Sequence, residues 1–328
     1  MSTLSPVPAT LGACDAAAPN GSRRSGRLRT AAAALGAGSL LAALGAAPAS
    51  AASAPTGLYT GMGTCPLSSS ALQDPNNGAV GCVVAVVNGG SFTIGSHVVT
   101  IPASSPVTTK FGVYWPNNGP TATFPDGNST EIFSTVAPTD GKELTAAPLD
   151  VPIPGIANFW PGVTSAITQI ELAGPITDFA PLAAGESYPV FKLPIKLHLE
   201  NAFLGPNCYV GSNSAPIVLQ PTTGTTTPPP PNKPITGDPG SINFNNDPNG
   251  FSDAIVGFTG ATLVDNSLSV PGANGCGPLG AFNWIVNLLF GLPSAAGNNT
   301  VTFTGVNTTL AVDTDIKDLT GAIAASEQ

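Results

Sequence analysis

After residue 52, short β-branched runs alternate with glycine, proline and asparagine, and this punctuation confines the chain to short elements. Turn signals recur about every 8 to 12 residues, a spacing that suits antiparallel strands better than helices. The clearest strand is 188–199. Phe191, Leu193, Ile195, Leu197 and Leu199 fall on one face, while Val190, Lys192, Pro194, Lys196 and His198 fall on the other. Period-two alternation of this kind puts the apolar face in a core and the lysines and His198 in water. Further strands are expected at 80–87, 97–101, 110–115, 131–136, 217–220, 254–258, 261–270 and 300–312. Asn88-Gly89-Gly90 reads as a hairpin turn returning through 92–94, and Gly95-Ser96 as a second turn. The stretch 143–153 carries Pro148 and Pro152, which cannot donate to a ladder, so it reads as an edge. The expected fold is mainly β, antiparallel and sandwich-like, with one short helix near 281–292.

That helix has two readings. It is apolar except for a narrow stripe formed by Asn283 and Asn287. It is either buried against a sheet or exposes an apolar face to lipid or a partner. It is too short to span a membrane. The last dozen residues are expected to fray.

The N-terminus reads as an export signal. All four arginines (Arg23, Arg24, Arg27, Arg29) precede an Ala, Leu and Gly-rich run at 30–47, followed by Ala49-Ser50-Ala51. A positive segment, a modest apolar segment and a small-x-small site make a secretory signal cut at Ala51. Retention as an anchor is the rival reading. Arg23-Arg24 leaves the general and twin-arginine routes both open. The domain expectation is a signal peptide at 1–51 and a β-rich region at 52–220. A Pro/Thr-rich linker or long loop follows at 221–240, then a second β-rich region at 241–328 packed on the first. The mature part would carry six lysines, no arginine and 18 acidic residues, a net charge of −12. That balance argues against nucleic acid and against a polybasic membrane patch. No transmembrane helix is expected in the mature chain.

Four cysteines remain after cleavage, and in an exported chain they read as two disulfides. Of three connectivities, Cys65–Cys82 and Cys208–Cys276 are expected. The first closes a loop over the turn-forming Asp74-Pro75-Asn76-Asn77-Gly78, a staple worth about 3 kcal/mol by loop entropy.

Catalytic patterns are sparse. There is no G-x-S-x-G elbow and no phosphate-binding glycine loop with a following lysine. His97 and His198 both have a plain explanation as strand residues. Trp115, Trp160 and Trp284 could stack on sugars but are expected in or beside the core. One stretch has ligand-like spacing: Asn245, Asp247, Asn249 and Asp253, with Gly250 at the sixth position, resemble the front of a calcium loop. The terminal bidentate Glu is replaced by Val256, and Asp-Pro-Asn-Gly is a strong turn by itself. Asp313, Asp315 and Asp318 read as a solvated strand end. No cofactor is expected other than calcium at that stretch.

The run Cys208-Tyr-Val-Gly-Ser-Asn-Ser-Ala-Pro-Ile-Val-Leu, with the Thr/Pro-rich stretch after it, resembles uncharacterised secreted proteins of actinomycetes. Leu193-Pro-Ile-Lys-Leu-His-Leu-Glu-Asn carries the same resemblance. It implies export and a disulfide at Cys208, and it implies no activity. The expectation is therefore a secreted or cell-envelope protein that is structural or binding rather than enzymatic. A secreted hydrolase and a lipid-binding protein are the alternatives. A cell-wall component, lipid or another surface protein is the expected partner.

Overall fold

The β-branched runs pair into antiparallel sheets in the computed structural model, which describes residues 53–95, 97–153 and 157–327. The arginine cluster, the apolar run and the expected cleavage at Ala51 lie outside the described residues, as does Ser96. In chain order the strands are β1 (Asn77–Val87), β2 (Gly89–Ile94), β3 (His97–Ile101), β4 (Val107–Pro116), β5 (Thr121–Thr123) and β6 (Ser129–Glu131). Then follow β7 (Ser134–Val136), β8 (Leu144–Thr145), β9 (Leu149–Pro152), β10 (Ser165–Leu172), β11 (Leu193–Glu200) and β12 (Tyr209–Val210). The last five are β13 (Ile217–Leu219), β14 (Ser241–Asn246), β15 (Ala254–Asp265), β16 (Ala273–Asn274) and β17 (Thr300–Asp313). The helices are α1 (Asn283–Phe290) and α2 (Ile316–Ala325).

The larger sheet runs β14-β15-β17-β1-β4-β7, with β2, β3 and β8 attached. The second runs β16-β12-β11-β10-β9, with β13 on β11, and β5 pairs β6. The main core lies between the two sheets. Val83, Phe111, Leu263 and Phe303 of the larger sheet meet Ile170, Leu193, Ile195 and Leu219 of the second. The alternation holds in part: Leu193, Ile195 and Leu199 are buried, but Phe191 and Leu197 of the same face are half-buried, and Lys192, Lys196 and His198 are half-buried rather than in water. The proline-bearing β9 is an edge of its sheet. The opposite face of the larger sheet carries a second core. There Tyr59 and Met62 from two 3-10 turns, with Leu319, Ala322 and Ile323 of α2, cover Val80, Cys82, Ile255 and Ala311.

Strands from both ends of the chain interleave, because β1 lies between β4 and β17. The Pro/Thr-rich stretch is bonded to this assembly. Thr222 bridges Val264, Asp238 bridges Thr262, and Asn232 Nδ2 donates to Asn266 O and Asn299 O at 2.9 Å each. Both expected disulfides are present, with Cα separations of 5.9 Å for Cys65–Cys82 and 4.1 Å for Cys208–Cys276.

Two local expectations are corrected, and one strand is added. Asn88-Gly89-Gly90 is not a hairpin. The chain runs on from β1 into β2, and both pair with the same partner, with Val86 opposite Asn307 and Gly90 opposite Phe303. Asn88 Nδ2 donates to Gly305 O at 2.7 Å across this irregularity. A Cβ at Gly90 would lie 2.2 Å from Thr302 O, so the glycine serves a close strand approach, not a reversal. Most of the last dozen residues do not fray: 317–325 belong to α2. Its N-cap Asp315 accepts from Lys317 N, and Leu319 is fully buried. Finally, β14 was not expected; it forms a hairpin with β15.

Candidate functional site

Two regions gather chemistry that the sheets alone do not explain, and a crevice lies between the sheets. The first region is the loop joining β14 to β15, which holds the residues with calcium-like spacing. Asp247 closes a turn: its Oδ1 accepts from Asn249 N at 2.6 Å and Phe251 N at 3.1 Å. Tyr59 rises beneath the loop, and its hydroxyl lies 2.6 Å from Asp247 Oδ2 and 2.5 Å from Asp253 Oδ2. A phenol has one proton to give, so it cannot donate fully to both carboxyl groups at once. The surroundings of the two differ. Burial pushes the Asp253 carboxyl above its ordinary value, with the charge of Asp247 adding to the effect. Burial acts on Asp247 too, but hydrogen bonds from Tyr59, Phe251 N and Asn249 N outweigh it and hold Asp247 below its ordinary value. The two carboxyl groups around this one hydroxyl are therefore shifted in opposite directions, Asp253 up and Asp247 down. Burial and the two carboxyl partners push the Tyr59 phenol far up.

The structure thus brings together two of the four residues picked out by spacing. Asn245 sits on the edge strand β14 with its side chain in solvent, and Asn249 is exposed and contributes its backbone N–H. Among the described residues, no group of three or more His, Cys, Asp or Glu is placed to hold a metal ion. Nor is the Asp313, Asp315 and Asp318 cluster only a solvated strand end. Asp315 caps α2, and Ser252 Oγ lies 2.8 Å from a carboxyl oxygen of both Asp313 and Asp318.

The histidines have structural partners. His97 Nε2 lies 2.5 Å from Leu289 O, and its ring meets Phe290 edge-on at 4.9 Å, which ties β3 to α1. His198 stacks on Tyr209 at 4.6 Å, with Nε2 2.9 Å from Pro206 O and Nδ1 3.5 Å from Glu171.

The second region is one end of the molecule, stitched from three loops. Ala202 N donates to Gly162 O at 2.8 Å, and Gly277 N donates to Leu204 O at 2.6 Å. Cys208–Cys276 fastens the same place. Helix α1 leaves this knot with its amphipathicity inverted. Its polar stripe faces the protein: Asn283 Oδ1 accepts from Cys276 N at 2.8 Å, and Asn287 Oδ1 from Ala273 N at 2.7 Å. Of its apolar residues only Val286 is buried; Trp284 is 64% exposed and Leu288 74%. Leu279, in the turn before the helix, is fully exposed at a φ of 55°. The neighbouring loops add Phe159, Trp160 and Phe203, with Trp160 69% exposed. Trp160 and Trp284 are therefore not core residues. Trp115 does pack on the main core, and its indole donates to Pro120 O at 2.9 Å. The pair Phe159-Trp160 followed by Pro161-Gly162 was the available signal for an aromatic loop tip.

The crevice lies within the main core and has a volume of about 70 Å³. Its lining is apolar except for Thr109, Thr223 and Thr308.

No family model matches the chain, and no curated protein or solved structure matches it either.

Proposed function

We propose that the chain is exported, loses residues 1–51, and acts outside the cytoplasm as a non-enzymatic protein that attaches to a lipid surface through its apolar end. The observation that carries this reading is the inverted helix: Asn283 and Asn287 bond inward while Trp284 and Leu288 point out. Burying amides and exposing an indole and a leucine is unfavourable in water, because the apolar area stays hydrated. It becomes favourable once that face meets an apolar phase. Tryptophan suits the boundary, since its ring is apolar and its N–H is not. The side chains project from loop tips and one short helix, which suits a soft medium better than a complementary protein surface.

Charge narrows the lipid class. Residues 266–312 contain no Asp, Glu, Lys, Arg or His. With an acidic balance overall, attraction to anionic headgroups contributes nothing, so attachment is apolar and insensitive to salt. Two disulfides are compatible with an oxidising compartment, and the resemblance to secreted actinomycete proteins points the same way. Among the described residues no helix is long and apolar enough to cross a membrane.

The test is cosedimentation with phosphatidylcholine vesicles at low and high salt, together with tryptophan emission. Binding with a blue shift, unchanged by salt, is the expected result. Trp160→Ser combined with Trp284→Ser and Leu279→Asn should abolish it. Absence of vesicle binding by the unaltered protein, or binding retained by the triple variant, overturns the proposal. Mass spectrometry of the exported product checks the rest: the mature chain should begin after Ala51 and be four hydrogens lighter than its thiol form.

A further inference from the structure

We infer that the free edge of β14 is a self-pairing surface, on which a second copy of this chain docks antiparallel and joins the two larger sheets into one. The inference uses other residues than the lipid-facing end and does not rest on that reading. Strand β14 is the outermost strand of the larger sheet and pairs with β15 alone. Alternate residues of an antiparallel strand aim their N–H and C=O groups to opposite sides, so about half of those in β14 face away from β15. All six of its residues are exposed. Such a row of unpaired donors and acceptors is a template for another strand, and proteins that stay single guard it with prolines, charges, bulges or a covering element. Other outer strands here carry guards. Strand β9 contains Pro152, β7 has three residues, β16 has two with α1 bonded beside it, and His97 ties β3 to α1. Strand β14 reads Ser-Ile-Asn-Phe-Asn-Asn, with no proline, no charge and an unbroken register against β15.

The side chains decide which strand fits. Ile242 stands opposite Phe258 and Phe244 opposite Val256, so both lie on the face that holds the main core. They prolong its apolar surface beyond the covered part, and Phe244 is left 71% exposed and Ile242 38%. Ser241, Asn243 and Asn245 lie on the opposite face, because side chains alternate along a strand. Turned about a two-fold axis through Asn243, this strand is complementary to itself. Ile242 then meets Phe244 of the second copy, Asn243 meets its own counterpart, and Ser241 meets Asn245 of the second copy. Four apolar side chains gather on one face and the amides on the other. An axis through Phe244 would instead set Ile242 against Asn246 and spoil the match. No charge stands in the seam. The flanking acids are engaged in their own turns, Asp238 accepting from Gly240 N at 2.8 Å and Asp247 from Asn249 N at 2.6 Å. A two-fold contact of this kind uses the same patch on both copies and closes at a dimer.

The experiment is sedimentation velocity of the purified full chain over a rising concentration series, with a cross-linking arm. Two six-residue strands make a small interface, so a reversible dimer with a dissociation constant of about 10 to 100 μM is expected. Phe244→Lys should weaken it about tenfold or more, because two lysines then share the seam, and should leave vesicle binding unchanged. Adding Ile242→Glu to that variant sets opposite charges face to face only in the register centred on Asn243. Association should return to within about threefold of the parent at low salt and be lost at high salt. Asn243→Cys should form a disulfide-linked dimer on oxidation, since the two Cα atoms lie about 4.5 to 5.5 Å apart across the axis. Asn245→Cys should not, its counterpart being about 13 Å away. A chain still monomeric at about 500 μM would leave the edge to a different strand and overturns the inference. Association unchanged by Phe244→Lys, no rescue by the double variant, or cross-linking at 245 in place of 243 overturns it too. Should the charged variants fail to fold, the two cysteine variants decide. Dimerisation without vesicle binding would remove the surface reading and leave the edge standing.

Discussion

The protein has two corners built from the same parts, a disulfide and a short helix, and they end up opposite in character. In one, Cys65–Cys82 lies beside α2, which buries Leu319, Ala322 and Ile323 and opens with Asp315 and Asp318. In the other, Cys208–Cys276 lies beside α1, which buries Val286 alone and has no acidic residue in its first turn and no basic one in its last. By composition α1 is the more apolar helix, yet it is the more exposed. What differs is the surface each one meets. Helix α2, together with Tyr59 and Met62, lies across an apolar face of the larger sheet, so its apolar side is consumed there. Helix α1 follows β16, an edge of the second sheet, and that edge offers backbone N–H groups as well as apolar area. Unsatisfied N–H groups at an edge are costly, so the asparagines turn inward and the indole is left outside.

The contrast can be broken by experiment. The largest effect should come from opening Cys208–Cys276 with a double serine substitution. Its separation of 68 residues corresponds to about 4 kcal/mol of loop entropy, against about 3 kcal/mol for the 17 of Cys65–Cys82. Urea midpoints measure both, and only the former should also reduce vesicle binding. Next, Leu319→Ala should cost about 3 kcal/mol, because a fully buried leucine leaves a cavity, while Leu288→Ala changes stability by about 0.5 kcal/mol or less. Equal costs would show that α1 is not outward-facing. Tyr59→Phe removes the hydroxyl shared by two buried carboxyl groups and should cost about 2 kcal/mol. The smallest effect belongs to Asp315→Ala, about 1 kcal/mol for the lost cap of α2.

The acid pair also sets opposite pH slopes. The pKa of Asp253 is raised above 3.8 in the folded state, so its contribution is complete below 3.8 and is lost as pH rises through the folded value. That of Asp247 is lowered, so its contribution is present above 3.8 and is lost as pH falls. Urea midpoints between pH 3 and 7 should therefore show Asp253→Asn gaining on the parent as pH rises and Asp247→Asn falling behind. Matching slopes would mean that the two carboxyl groups are not shifted in opposite directions.

Local pattern carried much of the architecture. The alternation at 188–199 placed Leu193, Ile195 and Leu199 in the core, because side-chain direction in a strand is fixed by the pleat. The turn cluster at 74–78 foretold which cysteine meets Cys82. The failures share a cause, which is that the deciding partner is distant in sequence. Asn88-Gly89-Gly90 has the residues of a turn, but β17, more than 200 positions on, keeps β1 and β2 in line. Asp247 and Asp253 have the spacing of ligands, but Tyr59, 188 positions before Asp247, occupies their inner oxygens. Helix α2 was legible after all, since Asp315 and Asp318 bracket a helix start, and it was missed because Gly321 and the alanines diluted its periodicity.

The sequence by itself determined a β protein of short strands and favoured the short Cys65–Cys82 loop. Those follow from φ/ψ preference, pleat alternation and loop closure, which act over a few residues. Only the tertiary structure decided which of two apolar helices would be buried and where two carboxyl groups would find a hydroxyl to share. Those outcomes depend on which surfaces remain uncovered after the strands have paired, and no window of sequence contains that information.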